Sequence, residues 1–170
     1  MAELKLRNTI DQDLSEPVWE EAIRLWEDAR SIGAWRQIVD VALTLTRLGV
    51  RRGNYHQIAG VLDAMIGLVQ DRGCGEDLWR FLRIRAQSLE DQGFRSSARE
   101  SLRSAATVVA NVLKDIRSPM FKKAYEDRYD IQSIKNRLDQ LHNETGERIA
   151  SFALLPPPQG ADEVGEQPVP

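Results

Sequence analysis

Cysteine is almost missing from this 170-residue chain. The single Cys74 excludes an intramolecular disulfide and any cysteine-rich metal site, and it fits a reducing, cytoplasmic setting. Histidine is equally scarce: His56 and His142 are the only two, and neither has a partner at the i+4 spacing of a helical metal site. There is no P-loop, no glycine-rich dinucleotide turn following a strand and no G-x-S-x-G, so no catalytic, cofactor-binding or metal-binding residue is assigned, and the chain reads as a non-enzyme without a cofactor. No apolar run approaches the ~18 residues of a membrane span, and the N-terminus MAELKLRNTIDQDLSEP has no signal-peptide core. Positive charge is not in excess either, with 23 Lys and Arg against 26 Asp and Glu and a formal net charge of −3. Aromatics make up only 6% of the chain, and no arginine stripe is interleaved with them, which argues against nucleic acid as the partner.

What the chain does have is a ladder of glycines. Of its 11 glycines, four stand at positions 33, 53, 73 and 93, twenty residues apart. Between them apolar residues recur at helical spacing: Trp35, Ile38, Val41, Ala42, Leu45 and Leu48, then Tyr55, Ile58, Ala59, Leu62, Met65, Ile66 and Val69, then Leu78, Phe81, Leu82, Ala86 and Leu89. Val18, Ala22, Leu25, Trp26 and Ala29 mark a helix ahead of the ladder, with Ser15 and Pro17 as start signals. Phe94, Ala98, Leu102, Ala105, Val109, Leu113 and Ile116 mark a long one after it. No useful stretch alternates with period two, so the class is all-α, with about six to seven helices. Glycine at the end of a helix adopts positive φ without a Cβ penalty, and Asn54 with Gln57, and Ser97 with Glu100, are spaced as capping boxes. Twenty residues hold one helix and a short loop, so two helices make a 40-residue hairpin, and GAWRQIVDVAL from Gly33 matches GNYHQIAGVLD from Gly53. Stacked hairpins of this kind build an α-solenoid.

At this level the sequence resembles a tetratricopeptide-repeat protein. Gly53-Asn54-Tyr55 reproduces that family's turn, with Ile58, Leu62 and Met65 at the apolar positions that follow it. Gly93-Phe94 opens a second copy with Ala98, Leu102 and Ala105. Leu82, Ala86 and Leu89 match the packing residues of the preceding helix, and Trp35, Ile38 and Ala42 after Gly33 form a degenerate third turn. Ser118-Pro119 stands where the next unit would start. The departures are a 40-residue spacing in place of the family's 34, which requires an insertion near Asp71–Gly75, and Arg85 and Thr46 where leucine and a small residue belong.

The resemblance implies that the first helix of each pair lines a concave groove. It places Asp40, Leu43, Thr44, Arg47 and Arg51 there from one pair and Arg80, Arg83 and Gln87 from the next. Four arginines in one groove suit a carboxylate-bearing peptide, because guanidinium binds carboxylates bidentately. The implied function is protein binding by an adaptor, scaffold or dedicated chaperone, the partner being a protein or peptide of acidic character. The alternative is a structural subunit that assembles with itself, through the helix bearing Trp19 and Trp26, or within a larger complex; a lesser one is a nucleic-acid-binding repeat, resting on the arginines alone.

Charge is distributed unevenly: −5 over residues 1–28, +5 over 29–150 and −3 over the remainder. Three regions follow. Residues 1–14 form an acidic, flexible lead; 15–150 form the helical-repeat domain, closed by a capping helix that carries Ile131, Ile134, Leu138 and Leu141 with Asp130 as its N-cap; and 151–170 form a Pro-rich flexible tail built on Phe152-Ala153-Leu154-Leu155 and Pro156-Pro157-Pro158.

Overall fold

The computed structural model describes residues 16–144, and these form seven α-helices and no strand. They are α1 (Glu16–Ile32), α2 (Trp35–Arg52), α3 (Tyr55–Asp71), α4 (Gly75–Asp91), α5 (Arg95–Asp115), α6 (Pro119–Glu126) and α7 (Tyr129–Glu144). The segments 1–14 and 151–170 and the start signal Ser15 lie outside the described residues, as does the side chain of His142.

The glycine ladder is where the chain turns. Gly33, Gly53, Gly73 and Gly93 have φ of 73°, 76°, 67° and 86°, the left-handed region in which a side chain is strained. The last three share one hydrogen-bond pattern. The amide after each glycine donates back five residues, Asn54 to Gly49, Cys74 to Val69 and Phe94 to Leu89, at 2.8, 3.1 and 2.8 Å. Each glycine amide donates to the carbonyl three residues before it. This satisfies the carbonyls that a helix end leaves open and aims the chain straight into the next helix. The helix starts are plainer than the capping-box spacing predicts. Asn54 is the N-cap of α3 but makes no side-chain cap bond, and Ser97 lies inside α5, whose N-cap is Phe94. Turn geometry at the preceding helix end already fixes the chain path, so a reciprocal side-chain cap is not required. Likewise α7 starts at Tyr129, one residue before the N-cap expected at Asp130.

Connections of two or three residues fold each helix back on the one before it. Successive helices α1 to α5 pack pairwise, α2 also packs on α4, and α5 on α7, with the short α6 bridging α5 and α7. Two apolar clusters result. The first joins Trp19, Trp26, Val39, Leu45, Leu48, Ile58, Leu62, Met65 and Phe81 from α1 to α4. The second joins Trp79, Leu82, Ala86, Leu102, Val109, Ile131, Ile134 and Leu138 from α4, α5 and α7. Helix α4 therefore contributes to both, which is why Trp79 and Ile84, off its expected apolar stripe, are as buried as Phe81 and Leu82. Helix α2 is also buried on more than one side. Its fully buried Thr46 is satisfied internally, the hydroxyl donating to the Ala42 carbonyl at 2.7 Å.

One close approach joins the first three helices. Gly49 sits in α2 where a Cβ would lie 2.2 Å from Ile58 Cγ2 on α3 and 3.3 Å from the Trp19 ring on α1.

Candidate functional site

Helices α2, α4 and α7 line one open groove of about 920 Å³. All eight residues expected to face a groove lie on it: Asp40, Leu43, Thr44, Arg47 and Arg51 from α2, and Arg80, Arg83 and Gln87 from α4. Helix α2 adds Arg36 and Val50, and α4 adds Ile84, Ala86 and Glu90. Tyr129, Asp130, Ser133 and Arg137 come from α7, with Leu102 of α5 behind them. The floor is apolar, since Leu43, Ile84, Ala86 and Leu102 are buried core residues that show one edge to the groove. The walls carry six arginines against three carboxylates (Asp40, Glu90 and Asp130), a formal +3.

Some of these arginines have structural work. Arg36 donates to Asp40 at 3.2 Å within α2 and reaches Asp77 of α4 at 3.5 Å. Asp77 is only 5% exposed and sits between two guanidinium groups, because Arg80 Nη1 lies 3.5 Å from its other oxygen. That oxygen, Oδ1, makes this ion pair but no hydrogen bond among the described residues. Arg137 Nε donates to Glu90 at 2.9 Å, joining α7 to α4. Arg83 Nη1 donates to the Ser133 hydroxyl at 3.0 Å across the same gap.

One end of the groove is held by a polar network that links α4, α6 and α7. The Glu76 carboxylate accepts from the Tyr125 hydroxyl at 2.5 Å, from Trp79 Nε1 at 3.0 Å, from Arg128 Nη1 at 2.9 Å and from Arg80 Nη2 at 2.5 Å. Arg128 in turn grips Asp130 with both Nε and Nη2, at 3.2 and 2.9 Å. Arg80 and Arg128 both lie over the Trp79 ring, 5.5 Å from its centre. Partial burial pushes the Glu76 carboxyl up, but the hydrogen bonds from Tyr125, Trp79 and Arg128 and the charge of Arg80 outweigh it and hold the group below its ordinary value. Asp130 shows the same balance, with burial opposed and overcome by Arg128. Burial and the neighbouring Glu76 carboxylate push Tyr125 well above the usual phenol range, so it stays a donor.

Several expected features lie elsewhere. Trp19 and Trp26 are 3% and 9% exposed, packed inside the first cluster, so these two rings face into the chain. Each of the four tryptophans has an arginine over its ring, the nearest being Arg72 at 4.4 Å from the centre of Trp35. A further arginine stripe of the sequence, Arg95, Arg99 and Arg103 at four-residue steps along α5, is not among the residues that line the groove. His56 is exposed on α3 and Cys74 is half-buried at the N-cap of α4. Among the described residues no three His, Cys, Asp or Glu side chains are grouped to hold a metal, and no helix is long and apolar enough to cross a membrane.

Sequence reasoning missed the contribution of α7 to the groove, since it preferred to read that helix as a cap. The signal was present: Tyr129, Asp130, Ser133 and Arg137 form a polar stripe beside that of Ile131, Ile134, Leu138 and Leu141, which are all buried. It also missed Glu76, whose partners lie 49 and 52 residues away at Tyr125 and Arg128, where no local spacing reveals them.

In comparisons with known proteins, no family model, no curated protein and no solved structure matches this chain.

Proposed function

We propose that the chain is a non-catalytic, tetratricopeptide-like stack of helical hairpins that binds an acidic segment of a partner protein in the α2–α4–α7 groove, acting in the cytoplasm as an adaptor, scaffold or dedicated chaperone. The observation that carries this reading is the groove itself: α2, α4 and α7 line it, six arginines face three carboxylates, and an apolar floor runs beneath them. Guanidinium groups recognise carboxylates through two parallel N–H···O bonds, each charge-assisted hydrogen bond contributing ~1.5–3 kcal/mol. The apolar floor would take the aliphatic or aromatic side chains between the acids. A nucleic-acid ligand is less well served, because Tyr129 is the one aromatic on the groove and it stands at 87% exposure on the rim.

Selection of a random displayed peptide library on the purified full chain tests this reading. We expect enrichment of sequences that combine Asp or Glu with apolar residues. Their affinity should fall at least tenfold in the Arg47→Glu, Arg51→Glu, Arg83→Glu variant, which leaves the Arg36, Arg80 and Arg137 ion pairs in place. Reversing Arg95 and Arg99 on α5 should change it little. Enrichment without acidic residues, or equal loss from the α5 variant, would contradict the proposal, and tight binding of single-stranded nucleic acid at physiological salt would favour the alternative.

A further inference from the structure

Beyond α7 the chain continues for 26 residues, and the last twenty carry a pattern complementary to the groove. Residues 151–170 contain Asp162, Glu163 and Glu166 with no basic residue, a charge of −3 against the groove's formal +3. They also contain Phe152, Leu154 and Leu155, the side-chain type that an apolar floor of Leu43 and Ile84 accepts. Between the two lies Pro156-Pro157-Pro158, a run that favours an extended left-handed conformation and so loses little further freedom when it binds.

Reach permits the match. Arg137, which lines the groove, is seven residues from the end of α7, or about 10 Å along the helix axis. Phe152 is eight residues past that end and Asp162 eighteen, so at ~3.3 Å per extended residue the chain spans up to about 26 and 60 Å. A segment tethered this closely presents itself at an effective concentration on the order of millimolar, so even weak intrinsic affinity fills the site.

We propose that residues 151–170 of this chain occupy the α2–α4–α7 groove in cis, and that an acidic partner binds by displacing them. This rests on the reading of the groove as an acidic-segment site and adds its resident competitor. The segment supplies carboxylates to meet the groove's excess of arginines and apolar side chains to cover its floor. Its weak, salt-sensitive attachment sets a threshold that a partner must exceed.

The test uses the full chain with Cys74→Ser and Ala161→Cys, the new thiol carrying a nitroxide, and reads paramagnetic broadening of backbone amides. Broadening should concentrate on Thr44, Arg47, Gln87 and Ser133, persist unchanged on dilution and vanish in 0.5 M salt. It should also vanish when Asp162, Glu163 and Glu166 are replaced by Asn, Gln and Gln. In parallel, an acidic peptide selected as above should bind this tail-neutralised chain at least threefold more tightly than the wild type. Broadening that is absent, scattered over α1 and α3, or dependent on protein concentration overturns the proposal. If the peptide binds wild type and tail variant equally well, the resident competitor is disproved and the groove function stands. If it binds neither, the groove reading fails as well.

Discussion

Gly49 shows how much one side chain decides. An alanine in the middle of a helix ordinarily stabilises by about 1 kcal/mol over glycine. At Gly49 the added methyl would meet Ile58 Cγ2, a β-branch methyl that cannot swing aside, and then the Trp19 ring. Overpacking of this kind costs ~1–3 kcal/mol, so Gly49→Ala should destabilise the chain. The matched control is Gly60→Ala on α3, where the new Cβ has nothing within 4 Å and should stabilise by up to about 1 kcal/mol. Urea unfolding of the two variants should move the midpoint in opposite directions; movement in the same direction would mean that α1, α2 and α3 do not meet at Gly49. Nothing in the local sequence distinguishes these glycines, because the difference lies in which helix comes against them.

Among the elements, α6 and α7 are the ones whose place depends on charge. Glu76 collects donors from Tyr125 and Arg128, and Arg128 clasps Asp130, so the last layer is fastened to α4 through ionised carboxylates. Both carboxyls have native values below their ordinary ones. Their stabilisation is therefore complete above the unfolded values of about 4 and is lost as pH falls through the native ones. We expect Glu76→Gln to be less stable than the wild type at pH 7, with the gap closing below about pH 4. Urea midpoints measured from pH 7 to pH 3 check this, and parallel curves would contradict it. The helices themselves were legible in the sequence, since apolar spacing located their buried faces and the glycines at 33, 53, 73 and 93 marked their ends through backbone conformation alone. The capping boxes misled because a side-chain pattern that can cap a helix also occurs inside one, as Ser97 and Glu100 do in α5. The network around Glu76 was illegible for another reason: its members lie some fifty residues apart and meet only where α6 and α7 come against α4.

For the whole molecule, the groove gathers into one place residues that are scattered from Arg36 to Arg137 in the sequence. The contributions of α2 and α4 could be read because each helix repeats one arrangement, apolar residues inward and a polar stripe one step around the axis. The contribution of α7 could not, because a terminal helix that buries one face fits a cap as well as a wall. Arg80 illustrates the limit of counting charges, since its guanidinium is tied to Glu76 and Asp77 of its own helix, the two carboxylates through which α4 meets Arg128 and Arg36. Charge reversal at Arg80 should therefore lower stability along with binding, and by more than reversal at Arg83, which gives up one hydrogen bond to Ser133 and an attraction to Asp130. Thermal unfolding of Arg80→Glu beside Arg83→Glu separates the two roles, and equal melting points would contradict this division. The central claim is that a single groove does the binding. It is tested most directly by amide chemical-shift mapping of the full chain titrated with an acidic peptide from the selection. The account predicts shifts clustered on Thr44, Arg47, Arg83, Gln87 and Ser133, reduced by added salt; shifts centred on the outer face of α3 around Gly60 and Leu68, insensitive to salt, would contradict it.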